Sequence, residues 1–194
     1  MYGKKVDLQA AVLHVSDSKI ESDTDLQLRV DVLVRQEGST LKAQRDLTLD
    51  AGQLDNKGLI QAAQDSSVHS DRVDNRQTGR VLAGAQAKLH SKTLNNAGLI
   101  DGQMTQLVAG DVVNTGKIYG DAIAIQANSL RNDKHGATAG VSAARGDLDL
   151  VVAALVNREH ALIYVGGTYD WAGSWIQRAA HKARPAQLRI LRRR

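Results

Sequence analysis

Apolar residues recur along this chain at a fixed phase around a short turn. The stretch Leu94-Asn95-Asn96-Ala97-Gly98-Leu99-Ile100 reads apolar-x-Asn-x-Gly-x-Ile, and close copies stand at residues 54–60 and 112–118. Taking Asn96 as an anchor, Leu89 lies seven residues before it and Leu94 two before. The same offsets give Leu49 and Leu54 for Asn56, Val68 and Val73 for Asn75, and Leu107 and Val112 for Asn114. They give Ile125 and Leu130 for Asn132, and Leu150 and Leu155 for Asn157. Two earlier turns fit with another residue as anchor: Leu8 and Leu13 around Val15, then Leu28 and Leu33 around Arg35. A further column nine residues before each anchor is apolar or small throughout: Val6, Leu26, Leu47, Ser66, Ala87, Thr105, Ile123 and Leu148.

These offsets predict the local structure. Positions −9 and −7 share parity, as residues on one face of a strand must, and so do −2, 0, +2 and +4. The step from −7 to −2 breaks parity and predicts a corner there, filled by polar or small runs such as Asp50-Ala-Gly-Gln and His69-Ser-Asp-Arg. Each repeat then consists of two short strands around a bend and a return segment. Successive anchors are 20, 21, 19, 21, 18, 18 and 25 residues apart. About 20 residues per turn suits one coil of a β-solenoid and is too short for two-helix repeats. The two-residue alternation argues against a leucine-rich repeat. The predicted fold is all-β, a parallel β-helix of about eight coils; stacked at about 4.8 Å, they form a rod of roughly 35–40 Å.

The anchor asparagines are expected to face inward at a bend and to stack as an amide ladder. Gly58, Gly98 and Gly116 are expected to supply the backbone freedom of that bend. In the rungs of Asn75, Asn132 and Asn157 the turn reads as two residues longer, and the 25-residue spacing predicts a protruding loop near residues 137–145. On this register Leu94→Asp should disrupt stacking, whereas Asn95→Asp should be nearly silent.

Composition agrees with a thin core of stacked layers. The 194 residues include no Phe and no Cys, and aromatic residues make up 3%. Without Cys there is neither a disulfide nor a thiolate metal site. No run approaches the roughly 18 apolar residues of a membrane helix, and the N-terminus has no signal-peptide core. The net charge of +4 belongs to the tail: residues 178–194 hold seven Lys/Arg and no Asp/Glu. Residues 1–177 therefore carry 18 basic and 21 acidic side chains.

Candidate chemistry is sparse. A β-helix polysaccharide-active enzyme needs carboxylates repeated at matched offsets, but the column before the anchor reads Asp55, Asp74, Asn95, Val113, Arg131, Val156. That acidic run spans two coils, and its members are expected to be solvated. His69 and His90 share a corner offset with no third ligand repeating beside them, short of the three or four a metal wants. The remaining histidines, at 14, 135, 160 and 181, form no spacing of their own. Calcium-repeat, phosphate-loop and nucleophile motifs are absent. No catalytic, cofactor-binding or metal-ligating residue is assigned, and no cofactor is expected.

The Asn-Gly turns, together with Arg45-Asp-Leu-Thr-Leu-Asp-Ala51, Gly146-Asp-Leu-Asp-Leu150 and Ala161-Leu-Ile-Tyr-Val-Gly-Gly167, resemble the haemagglutinin-repeat region of filamentous haemagglutinin-type adhesins. These two-partner-secretion exoproteins of Gram-negative bacteria include contact-dependent inhibition stalks. The resemblance spans roughly residues 5–168. It implies a right-handed helix, a secreted or cell-surface location and a non-catalytic structural or adhesive role. It also implies a host or neighbouring-cell receptor or glycan as partner, and an outer-membrane transporter for the full-length protein. The chain reads as a fragment of such a protein, with residues 1–168 as the repeat region and 169–194 as a basic tail foreign to it. Within the tail, residues 175–183 could form a short amphipathic helix, or the segment could be disordered. The alternative function is binding of nucleic acid or anionic membrane through that tail, with no specific nucleic acid expected.

Overall fold

The computed structural model describes residues 1–136, 138–167, 169–175 and 190–192. It contains no helix among them. Seventeen strands form one continuous parallel system that winds through eight coils, at residues 6–22, 26–43, 47–62, 66–83, 86–102, 104–120, 122–144 and 148–165. Each coil has a long strand, such as Leu47–Asn56, and a short one, such as Leu59–Ala62. Every long strand pairs in parallel with the long strands before and after it, and the short strands do likewise.

The register is the one the apolar columns predict. Asn56 pairs with Asn75, Asn75 with Asn96, Asn96 with Asn114, Asn114 with Asn132, and Asn132 with Asn157. Val15 pairs with Arg35 and Arg35 with Asn56, which places the two substituted anchors in the same column. The −7 and −2 columns are buried from coil 2 onward, and in coil 1 Leu8 and Leu13 are half-buried. Burying one such aliphatic side chain is worth about 1.5–3 kcal/mol, repeated down each column.

The corner is one residue wide. Pairing skips a single position four residues before the anchor, at Asp31, Gly52, Asp71 and Lys92, and resumes on either side. The bulge at −4 reverses the parity that follows, which turns −2 inward, whereas position −5 stays in phase with −9 and −7 and so faces inward. Val30, Ala51, Ser70, Ser91, Ala127 and Val152 are all buried there, a third inward row that the sequence reading assigned to a polar corner.

Two turn expectations are corrected. Among the described glycines only Gly38 and Gly136 have positive φ, 75° and 59°. Gly58, Gly98 and Gly116 are there for space: a Cβ would lie 2.2 Å from Ser39 Oγ, 2.1 Å from the Gly79 oxygen and 2.2 Å from the Gly98 oxygen, respectively. Coil-to-coil approach, not a left-handed backbone, fixes the residue. The turn after Asn132 is also longer than two extra residues. The antiparallel pair Lys134–His135 and Thr138–Ala139 protrudes here, and Val141–Ala144 already belongs to the stack. The loop thus begins before the predicted 137–145 and overlaps only the first part of it.

Parallel pairing runs past the boundary drawn at residue 168. Tyr169–Trp175 pairs with the long strand of coil 8, and Ile190–Arg192 with its short strand. The helix considered for residues 175–183 falls almost wholly outside the described residues.

Candidate functional site: a trough along one corner

The anchors form a closed structural device. Each Asn Nδ2 donates to the Oδ1 of the Asn one coil on: 2.8 Å from Asn56 to Asn75, 2.7 Å from Asn75 to Asn96, 2.8 Å from Asn96 to Asn114, 2.8 Å from Asn114 to Asn132 and 2.9 Å from Asn132 to Asn157. Asn157 ends the chain of bonds by donating to the Ala161 oxygen at 3.0 Å. At the other end Arg35 Nη1 donates to Asn56 Oδ1 at 2.9 Å. Arg35 is fully buried with no carboxylate beside it, and its Nε has no hydrogen-bond partner. Burial pulls the guanidinium pKa down to about 9, which still leaves it charged at neutral pH. The amide oxygens all face toward Arg35, so the negative ends of the aligned dipoles meet the buried cation.

Outside the solenoid, the corner opens into a trough of about 810 Å³ across coils 1–5. Its sides come from positions −6 and −4, which point outward on either side of the inward −5 row. The −6 column supplies Gln9, Arg29, Asp50, His69 and His90, and the −4 column Asp31, Asp71 and Lys92. Sequence reasoning found the two histidines and missed their neighbours. Reading charge down the same two columns would have found them.

The His69 and His90 rings stack one coil apart, centroids 5.7 Å apart and tilted by 32°. His69 Nδ1 is 3.6 Å from Asp50 Oδ1, Lys92 Nζ is 3.0 Å from Asp71, and Arg29 Nη1 is 3.1 Å from Asp7 at the rim. At 3.6 Å the Asp50–His69 contact is longer than the hydrogen bond by which a triad carboxylate orients its histidine. The adjacent hydroxyl is turned away: Ser70 Oγ lies inward, 2.8 Å from the Arg72 oxygen. No group of three or more His, Asp or Glu side chains able to hold a metal ion occurs among the described residues. The trough offers hydrogen-bonding groups of both charges and no aromatic platform, a chemistry suited to polar, multiply hydrogen-bonding ligands.

The acidic column before the anchors is ion-paired rather than solvated. Asp74 is buried, accepts from Arg72 Nε at 2.8 Å and Asn95 Nδ2 at 2.8 Å, and lies 3.5 Å from Arg76. Burial pushes its carboxyl up, but the Arg72 and Asn95 hydrogen bonds outweigh that and hold it below the ordinary value. Asp55 accepts from Arg76 at 2.8 Å. Asp133 repeats the arrangement with Arg158 at 2.8 Å and the Lys134 amide at 2.8 Å.

The class defined by fold and site is therefore a parallel β-solenoid with an internal asparagine ladder and a polar corner trough. No family model, curated protein or solved structure matches the chain.

Proposed function

We propose that this chain is a structural and adhesive segment of a secreted or cell-surface exoprotein, acting without catalysis. The observation that carries this reading is the vertical register of eight coils, six of them joined by the amide ladder. Such a stack makes a stiff spacer, and a stiff spacer with a long polar trough presents a ligand surface at fixed geometry. The sequence resemblance to haemagglutinin-repeat adhesins supports the same role and supplies the partner class: a receptor or glycan on a host or neighbouring cell.

The test is retention of cells or glycan-coated beads on immobilised protein. Arg29→Glu with Lys92→Glu should reduce retention at least tenfold while leaving the melting temperature within about 1–2 °C, since exposed ion pairs contribute little. Undiminished retention would remove the trough from the adhesive reading. No retention by the parent chain on any surface would leave the spacer role alone.

A further inference from the structure

The aromatic side chains missing from the trough stand on a different face. In the short strands of coils 6–8, alternate residues point inward and are buried: Ile118 and Gly120, Ser142 and Ala144, Ile163 and Val165. The residues between them therefore face out. They form two rows along the rod, aligned coil over coil by parallel pairing: Lys117, Val141 and Leu162 in one, Tyr119, Ala143 and Tyr164 in the other. The strand Leu162–Val165 is itself paired on both sides, with Val141–Ala144 and with Ile190–Arg192. Neither tyrosine lies on an open edge.

Tyr119 and Tyr164 are two coils apart, about 9.6 Å at the coil spacing, and both are partly exposed. Between them Ala143 contributes only a methyl group. Two aromatic platforms are thus separated by a shallow gap, beside the apolar surface of Val141 and Leu162. Polar groups rim the face, the pattern of a ligand surface rather than of scattered apolar residues. Asp121 and Arg145, each two residues beyond the tyrosine row, form an exposed ion pair between coils. Lys117 is exposed on the opposite side, and Asp101 pairs with Tyr119 from the coil before. The rim holds two acids, Asp101 and Asp121, and two bases, Lys117 and Arg145, so its charges cancel.

We propose that this face binds an extended, uncharged β-1,4-linked glycan lying along the rod axis. Such a glycan is a flat ribbon that repeats every two sugars, a length close to the two-coil spacing. Sugars two apart present the same face, and their C–H groups stack on the electron-rich faces of Tyr119 and Tyr164. The sugar between them passes over Ala143. Ring hydroxyls project from the ribbon's edges, toward Asp121 and Arg145 on one side and Lys117 on the other. A nucleic acid fits poorly, because its phosphates need a net basic track beside the stacking platforms. The proposal rests on the glycan partner of the adhesive reading but places it on a surface separate from the trough.

The test titrates the full chain with soluble oligosaccharides by calorimetry and maps the contact by amide chemical shifts. The β-1,4-linked hexasaccharide of glucose or of N-acetylglucosamine should bind and shift the amides of residues 117–121, 141–145 and 162–165. Tyr119→Ala and Tyr164→Ala should each weaken binding at least tenfold, whereas Tyr119→Phe and Tyr164→Phe keep the ring and should stay within about threefold of the parent. The disaccharide, too short to cover both rings, and the curved α-1,4-linked glucose hexasaccharide should bind at least tenfold less. Those length and linkage preferences decide the matter even if an alanine variant fails to fold. The trough variant R29E/K92E should bind as the parent does. Cell retention without hexasaccharide binding would remove this face and leave the adhesive reading standing; hexasaccharide binding by a chain that retains no cells would do the opposite. The proposal is overturned by no binding at millimolar hexasaccharide, by alanine variants that bind like the parent, or by loss of binding in R29E/K92E. A parent chain that self-associates and is released by Tyr119→Ala would assign the face to a second copy. Single-stranded DNA that binds more tightly and displaces the sugar would assign it to nucleic acid, and either result would equally overturn the proposal.

Discussion

Asn95 and Asn96 are adjacent in sequence and do different work. Asn96 is inside, with a ladder bond on each side, so Asn96→Ala strands the Asn75 donor and the Asn114 acceptor in the core. The expected cost is about 2–4 kcal/mol, or roughly 5–15 °C of melting temperature for a chain this size. Asn95 is outside, where the register predicts indifference to Asn95→Asp. The structure overturns that, because Asn95 Nδ2 donates to the half-desolvated Asp74 at 2.8 Å. A second carboxylate there would repel the first, and the melting temperature should fall by a few degrees at pH 7, with the loss shrinking as pH drops below about 4. Asp74 itself has a folded pKa below its ordinary value of 3.8. It therefore contributes stability above that value and loses it as pH falls through the folded pKa. The acid limb of a stability–pH curve should be shallower in Asp74→Asn than in the parent. Arg35→Asn extends the ladder by one rung and removes a buried cation. The six-residue step from Asn75 to Val81 matches that from Arg35 to Leu41, so an Asn has a precedent in this turn. The variant should melt at a higher temperature than Arg35→Leu, which leaves Asn56 Oδ1 with the Gly58 amide as its remaining donor.

At the scale of one coil, shape is set by the single-residue corner and the tight turn after the anchor. The corner converts a continuous extended strand into two faces whose inward residues have opposite parity. The turn brings backbones so close that a Cβ on Gly98 would lie 2.1 Å from the Gly79 oxygen and 2.4 Å from the Arg76 oxygen. Gly98→Ala should cost about 1–3 kcal/mol through forced separation of coils 4 and 5, although its φ is one that alanine adopts freely. A scan of melting temperature across Gly58→Ala, Gly98→Ala and Gly146→Ala separates the effects. Gly146, whose Cβ would sit at 2.9 Å from the Asp121 oxygen, should be the mildest.

Across the whole molecule each coil touches mainly its two neighbours, so stability is nearly a sum of coils and interfaces. Leu94→Asp places a charge in the centre of the stack, beside Val73 and Val112. It should lower exchange protection most in coils 4–6 and least in coils 1 and 8. Uniform loss of protection from end to end would mean that the rod folds as one cooperative block. The same nearest-neighbour logic explains why the axial sense of the ion pairs and amide bonds persists over the full length. The two run in opposite directions: each ladder amide donates to the coil after it, whereas the bases of the ion pairs donate back to carboxylates on the coil before.

The period, the inward columns and the anchor column were legible in the sequence, because parity and spacing act within about ten residues and leave their mark on the order of side chains. The identity of Val15 and Arg35 as anchors without an amide came from the same phase. The inward −5 row was not legible: it lies inside a corner run whose other members are largely polar, and only the position of the bulge decides that Ser70 and Ser91 still belong to the inward phase of the first strand. The glycine requirement, the burial of Asp74, the trough and the direction of every bond between coils depend on groups 18–25 residues apart in sequence and one coil apart in space. Sequence periodicity states that such groups are neighbours; the three-dimensional stack decides which end of each meets the other.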